Sequence, residues 1–244
     1  MPKSFALQEA EKAEIADDDL QQFFSAGMHY GLARSKRHPS TMDYIFGLKD
    51  GIEIIDLEKT QDLLNQAEEF VRKLGEERKQ ILWVTSKNEA NQIIMNVADS
   101  IDHPYVTGRW IGGTLTNFDN IRGRIDKLEE LEADERSGEL EKFTKKEQML
   151  FAREMRRLND KFGGIRSMTE KPAAVFVVDS AREDIAVSEA NQNDIPVIAI
   201  SNVDCDINAL DYPIVANDTS QETIRLIAKR LRDAYADAGD ITVK

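Results

Sequence analysis

Between Asn117 and Phe162 the chain carries no strand-forming run, although the segments on both sides alternate apolar strands with amphipathic helices. Within this stretch Phe118, Ile121, Ile125 and Leu128 recur at spacings of three and four. Phe151, Met155, Leu158 and Phe162 repeat that spacing after a turn at Ser137 and Gly138. So narrow an apolar seam predicts two long helices paired as a protruding antiparallel coiled-coil hairpin. The segment holds 11 basic and 12 acidic residues and is nearly neutral, whereas the whole chain has a formal net charge of −13. It is therefore the least acidic large element, and an inserted hairpin of this kind usually exists to touch something. The plainer alternative is a solvated two-helix insertion held by ordinary i,i+4 ion pairs.

The flanking segments define the body from which the hairpin departs. "YIFGLKDGIEIIDL" reads as two short strands around a Lys-Asp-Gly turn, with Asp56 or Thr60 placed to start the helix "TQDLLNQAEEFVRKLG". Apolar runs "QILWVTS", "PAAVFVVDS", "IPVIAIS" and "YPIVAN" then alternate with the helical stretches "KNEANQIIMNVADS", "AREDIAVSEANQND" and "SQETIRLIAKRLRDAYADA". This order predicts an α/β fold, a parallel sheet flanked by helices on both faces. "DDDLQQFFSAG" reads as a short helix closed by Gly27, and "HYGLARSKRHPS" as an exposed basic loop. The expected organisation is an acidic arm over 1–20, an α/β domain over 21–116 and 163–236, the hairpin over 117–162 and a tail over 237–244.

Composition excludes several classes of function. No apolar run approaches the roughly 18–20 residues of a membrane helix, and the first twenty residues lack the apolar core of a leader peptide, so the expected location is the cytoplasm. One cysteine, Cys205, and three scattered histidines give neither disulfides nor metal-ligand spacing, and neither metal nor cofactor is expected. The acidic balance argues against a generic nucleic-acid binder, yet cations cluster locally: Arg34, Lys36 and Arg37, then Lys145 and Lys146, then Arg153 and its helical neighbours. Asp56, Thr85, Ser86, Asp179 and Ser201 stand at strand ends, where an α/β enzyme would keep its chemistry. No glycine-rich phosphate fingerprint follows any strand, however, and helix capping is the favoured reading of these residues. Asp204, Asp206 and Asp211 could hold a hard cation but lack the spacing of a calcium loop, which favours turn chemistry.

The stretch "YVTGRWIGGTLTNF" opens the hairpin, and "NDKFGGIRSM" closes it. The pairs Gly112 and Gly113, and Gly163 and Gly164, thus bracket its base and allow close passage of two chains. Trp110 is expected to be a core residue at that base. Arg109 beside it is the candidate for a phosphate contact.

With these residues assembled, the sequence resembles the bacterial small-subunit ribosomal protein S-two family. "SAGMHYG", "YIFGLKDGIEIIDLEKT", "YVTGRWIGGTLTNFDNIRGRIDKLEELE", "FTKKEQMLFAREMRRLNDKFGGI", "AVFVVDSAREDIAVSEANQNDIPVIAISN" and "DYPIVANDTSQETIRLI" follow the family's order over about residues 25 to 230. The resemblance implies a flavodoxin-like α/β domain with the inserted hairpin. It also implies a structural role in the small ribosomal subunit, bound to small-subunit rRNA and neighbouring ribosomal proteins, among them the mRNA-capturing protein S-one, with no catalytic residue and no small-molecule substrate. On that reading Arg34, Lys36, Arg37, Arg109, Arg122, Arg124, Lys145, Lys146 and Arg153 contact phosphates. The chain departs from the family where Leu32 stands for a histidine and Arg37 for a tryptophan. Two rival functions are an α/β enzyme or binding protein for a small phosphorylated metabolite, using Asp56 or Asp179 as acid or base, and a protein-only adaptor with the hairpin as its arm.

Overall fold

The computed structural model describes residues 18–243. The acidic arm read over 1–20 therefore lies mostly outside the described residues. Helix α1 (18–25) leads into strand β1 (Tyr30–Ala33), the hairpin β2 (Ile45–Lys49) and β3 (Ile52–Ile55), and helix α2 (Leu57–Glu76). Then follow β4 (Ile81–Thr85), α3 (Asn88–Ser100), β5 (Tyr105–Thr107), α4 (Phe118–Ser137) and α5 (Lys145–Phe162). The chain closes with β6 (Ala174–Val178), α6 (Asp184–Gln192), β7 (Val197–Ser201), β8 (Tyr212–Val215) and α7 (Gln221–Gly239).

Five strands form a parallel sheet in the order β5-β4-β6-β7-β8. Counted from β4 this is the 2-1-3-4-5 order of flavodoxin-like folds. β4, β6 and β7 are buried at every position, as expected where both faces are covered. Alternation along each strand divides their side chains between two layers. Leu82, Val84, Val175, Val177, Val197 and Ala199 join the cluster that contains α6, α4 and α5, whereas Trp83, Phe176, Val178, Ile198 and Ile200 pack with α2, α3 and α7.

The strandless segment is a pair of helices. Phe118, Ile121, Ile125, Leu128, Met155, Leu158 and Phe162 are buried and Phe151 is half-buried, all in the same cluster as the sheet's first face. Gly138 ends α4 at φ +79°, and Thr144 and Glu147 form a capping box that starts α5. Arg166 braces the pair, donating to both carboxylate oxygens of Glu132 at 2.9 and 2.7 Å and to Asn159 at 2.7 Å.

Three sequence expectations need correction. The basic segment after His29 is not wholly loop, because Tyr30–Ala33 pairs antiparallel with β3, giving a second sheet of order β1-β3-β2. Its register breaks between Tyr30 and Ala33, which hides the period from a sequence pattern. β5 went unread because three half-buried residues carry too little alternation to signal a strand. The expected tail from 237 begins inside α7, which continues to Gly239. At the β2–β3 turn Asp50 and Gly51 both have positive φ, 52° and 80°, as a two-residue hairpin of this hand requires.

α2 and α7 cross at Gly75, where an added Cβ would stand 2.3 Å from the Tyr235 carbonyl oxygen. Gly75→Ala is expected to destabilise by about 1–3 kcal/mol because that backbone cannot yield cheaply. Gly123→Ala, inside α4 with open space at its Cβ, should stabilise by about 0.5–1 kcal/mol. Urea denaturation of both variants against the parent checks the pair.

Buried His103 lies edge-on to Tyr235 and takes a hydrogen bond on Nδ1 from the Trp83 indole at 3.4 Å. Burial drops its pKa from 6.5 to about 4, so the folded state keeps it neutral. Its contribution to stability is full above pH 6.5 and is lost as pH falls toward about 4. Melting temperature measured across that window should decline, and less steeply in His103→Phe.

Candidate nucleic-acid interface

The joint between sheet and hairpin is held by one carboxylate. Glu189 sits on α6 between the buried Ala186 and Ala190, only 6% exposed. Its Oε1 accepts from the Trp110 indole at 3.2 Å and from the Gly113 amide at 2.7 Å. Its Oε2 accepts from the Leu115 amide at 3.0 Å and from the amide and hydroxyl of Thr116, both at 3.2 Å. Burial alone would raise the Glu189 pKa, but the amides of Gly113 and Leu115, the indole and the Thr116 amide outweigh it and hold the carboxyl below its usual range. Gly113 reaches this arrangement at φ +92°. Gly112 does not mark a close approach, since a Cβ there would meet only Glu189 Oε1 at 4.0 Å.

On the returning segment of the joint, Gly164 does mark one. A Cβ at Gly164 would lie 2.3 Å from the Tyr105 carbonyl oxygen and 2.7 Å from its ring. Gly163 ends α5 with right-handed backbone and leads into a short 3-10 turn. Alternation at the exit of β5 then buries Trp110 and turns Arg109 outward.

The nine cations proposed from sequence divide by their partners. Arg34 and Lys36 are exposed on the turn after β1, and Arg109, Arg124, Lys145, Lys146 and Arg153 are exposed at the joint and on the hairpin. Lys145 and Lys146 occupy the first turn of α5, where the helix dipole disfavours cations, so helix stability does not account for them. Arg37 and Arg122 are spent internally. Arg37 donates to buried Glu53 at 2.8 Å. Arg122 binds Asp126 and Glu129 and also the carbonyls of Arg166 and Met168. The departures at 32 and 37 thus have structural counterparts, since Leu32 packs against the core and Arg37 neutralises a carboxylate inside the small sheet.

The strand ends are closed by a polar network. Lys87 Nζ lies 2.6 Å from Asp218 and 2.8 Å from Asp179, and Asn202 donates to Asp218 at 2.9 Å. Burial favours the neutral amine, yet the two carboxylates more than offset it and raise the Lys87 pKa. Ser86 donates its amide, at 2.7 Å, and its hydroxyl to Glu183, and Ser180 pairs with Ser201 at 2.8 Å. Thr85 Oγ1 accepts from the Lys87 amide at 3.2 Å, and Asp56 caps α2. Asp206 caps a 3-10 turn, as turn chemistry predicts, whereas Asp211 accepts from the Val197 amide at the start of β7. Glu189, Arg166 and Arg182 went unread in the sequence. The one signal for Glu189 was an acid on the apolar face of an otherwise amphipathic helix.

Comparison with known proteins resolves the identity of this scaffold. The family profile described as Ribosomal protein S2 matches residues 23–238. The chain belongs to the Ribosomal protein S2 family. Among relatives in that family, the "Small ribosomal subunit protein uS2" of Helicobacter acinonychis is 37% identical over 222 residues, covering 91% of this chain and 90% of the relative. The uS2 of Salinibacter ruber is 40% identical over 218 residues, covering 89% of this chain and 68% of the relative.

In this member of the S2 family, Glu189→Gln keeps the side chain's size but sets an amide donor against the N–H donors of the joint. It should cost about 2–4 kcal/mol. Because the carboxyl is held below its ordinary pKa, the parent keeps this stabilisation above the ordinary carboxylate range and loses it as pH falls through the depressed value. The stability difference between parent and variant, measured by chemical denaturation, should therefore shrink at acid pH.

Proposed function

We propose that the protein is a structural constituent of the small ribosomal subunit, binding small-subunit rRNA and neighbouring ribosomal proteins, and not an enzyme. The observation that carries this reading is a division among its cations. Arg34, Lys36, Arg109, Arg124, Lys145, Lys146 and Arg153 face solvent at the joint, the hairpin and the β1 turn, while Lys87 at the strand ends is consumed by two carboxylates. Family membership supports the same reading, as do the relatives named small ribosomal subunit protein uS2. Exposed arginines and lysines on rigid elements suit phosphate contacts. The rival metabolite site loses its acid and base, because Asp56 caps a helix and Asp179 neutralises Lys87.

Protein neighbours have their own surface. Phe24 and Phe46 are 62% and 78% exposed beside a largely apolar groove between α1 and β3. Such a patch fits a protein partner, and we place the mRNA-capturing protein S-one among the candidates. No described helix is long and apolar enough to cross a membrane, and this role belongs to the cytoplasm.

Sedimentation of cell extract through sucrose at low and high salt tests the proposal. The protein should migrate with small subunits at low salt and be stripped at high salt. Lys145→Glu with Lys146→Glu should weaken that association without unfolding the chain. Recovery of the parent only at the top of both gradients would overturn the reading.

A further inference from the structure

A cleft of about 460 Å³ opens at the carboxyl ends of β4, β5 and β6, lined by Ser86, Asn88, Asn91, Arg109 and Arg182 among others. That volume falls within the roughly 300–1,000 Å³ of small-ligand pockets. Its place is the point where strand order reverses about β4, the crevice that doubly wound sheets use for ligands. Arg109 enters from the turn after β5. Arg182 enters from the turn after β6, and its Nε donates to Ser86 Oγ at 2.9 Å. That bond fixes the guanidinium plane and leaves both terminal nitrogens for another acceptor. Two acids share the cleft, Glu183 accepting from the Ser86 amide and hydroxyl and Asp184 from the Ile185 amide. Asn91 adds an unusual feature. Its Oδ1 is buried without any hydrogen-bond partner, a state that costs free energy until a donor arrives.

We propose that Arg109 and Arg182 grip one phosphodiester of RNA in this cleft, and that the Asn91 side chain turns its unpaired Oδ1 into the cleft to accept a hydrogen bond from an adjacent ribose 2′-hydroxyl. This rests on the rRNA-binding role and extends it to two residues, Arg182 and Asn91, on elements outside the hairpin. Two guanidiniums match phosphate oxygens by planar forked donation. The unpaired acceptor supplies what distinguishes RNA from DNA at a single nucleotide. Free nucleotides carry the same phosphate and ribose, so the test must separate them from a polymer.

The full chain would be titrated with a short single-stranded oligoribonucleotide, with DNA of the same sequence, and with 5′-AMP as competitor, by fluorescence anisotropy over a range of salt. Arg182→Gln and Arg109→Gln should each weaken RNA binding roughly three- to tenfold, and the two changes together should reduce the logarithmic salt slope by about 0.7, the share of the one phosphate. Asn91→Ala should weaken RNA binding and leave DNA binding unchanged. Arg182→Lys keeps the charge but loses the fork, and should bind RNA more weakly than the parent while its circular dichroism stays the same. Unchanged RNA affinity in Arg182→Gln would overturn the proposal, as would equal losses for RNA and DNA in Asn91→Ala. Displacement of the RNA by micromolar 5′-AMP would overturn it too, in favour of a nucleotide site. None of these failures alters co-sedimentation of the parent chain with small subunits, so the cleft and the ribosomal role stand or fall separately.

Discussion

The Glu189 carboxylate is the contact on which the relation between sheet and hairpin depends. Five hydrogen bonds converge on it from Trp110, Gly113, Leu115 and Thr116. Without it five donors from these four residues would lose their acceptor, and each one left buried and unpaired would cost about 1–3 kcal/mol. The apolar seam of α4 and α5 is continuous with the sheet's first face, so packing supplies cohesion. Packing is non-directional, however, and the direction in which the hairpin leaves the sheet needs a polar hub with fixed geometry. Arg166 adds a second brace further along through Glu132 and Asn159.

A second constraint lies at the strand ends. In this topology the crevice about β4 is where a cofactor or substrate would sit, and next to it the ends of β4, β6 and β8 are tied together by Lys87, Asp179 and Asp218. A buried cation between two carboxylates is already satisfied, and so offers neither free base nor free acid. What stays open is the rim, where Arg109 and Arg182 reach outward.

The elements most legible in the sequence were those with strong periodicity. β4, β6 and β7 are continuous apolar runs, and the seam residues of α4 and α5 repeat at three and four, so burial could be read directly from pattern. β1 and β5 were not legible. The first carries a register break and the second has three half-buried residues, and both are strands because a neighbour supplies the ladder. The inward Trp110 and the outward Arg109 were legible from their place beside the glycine pair at the base of the hairpin. Glu189, Arg166 and Arg182 could not be read, because their roles come from partners distant in sequence.

Charge shows most clearly why spatial pairing had to be seen. A formal net charge of −13 counts every lysine and arginine equally, yet their availability to an external phosphate differs from one residue to the next. Arg37 and Arg122 come from stretches that look as basic as any other, and both spend their donors on internal acceptors. Lys145 and Lys146 stand where the dipole of α5 opposes them, so they exist at a cost to the isolated helix. At physiological salt the field of distant acids fades over about 8 Å. A phosphate approaching the joint or the hairpin tip therefore responds to the few unpaired cations within that distance, and an acidic protein can present surfaces that RNA binds.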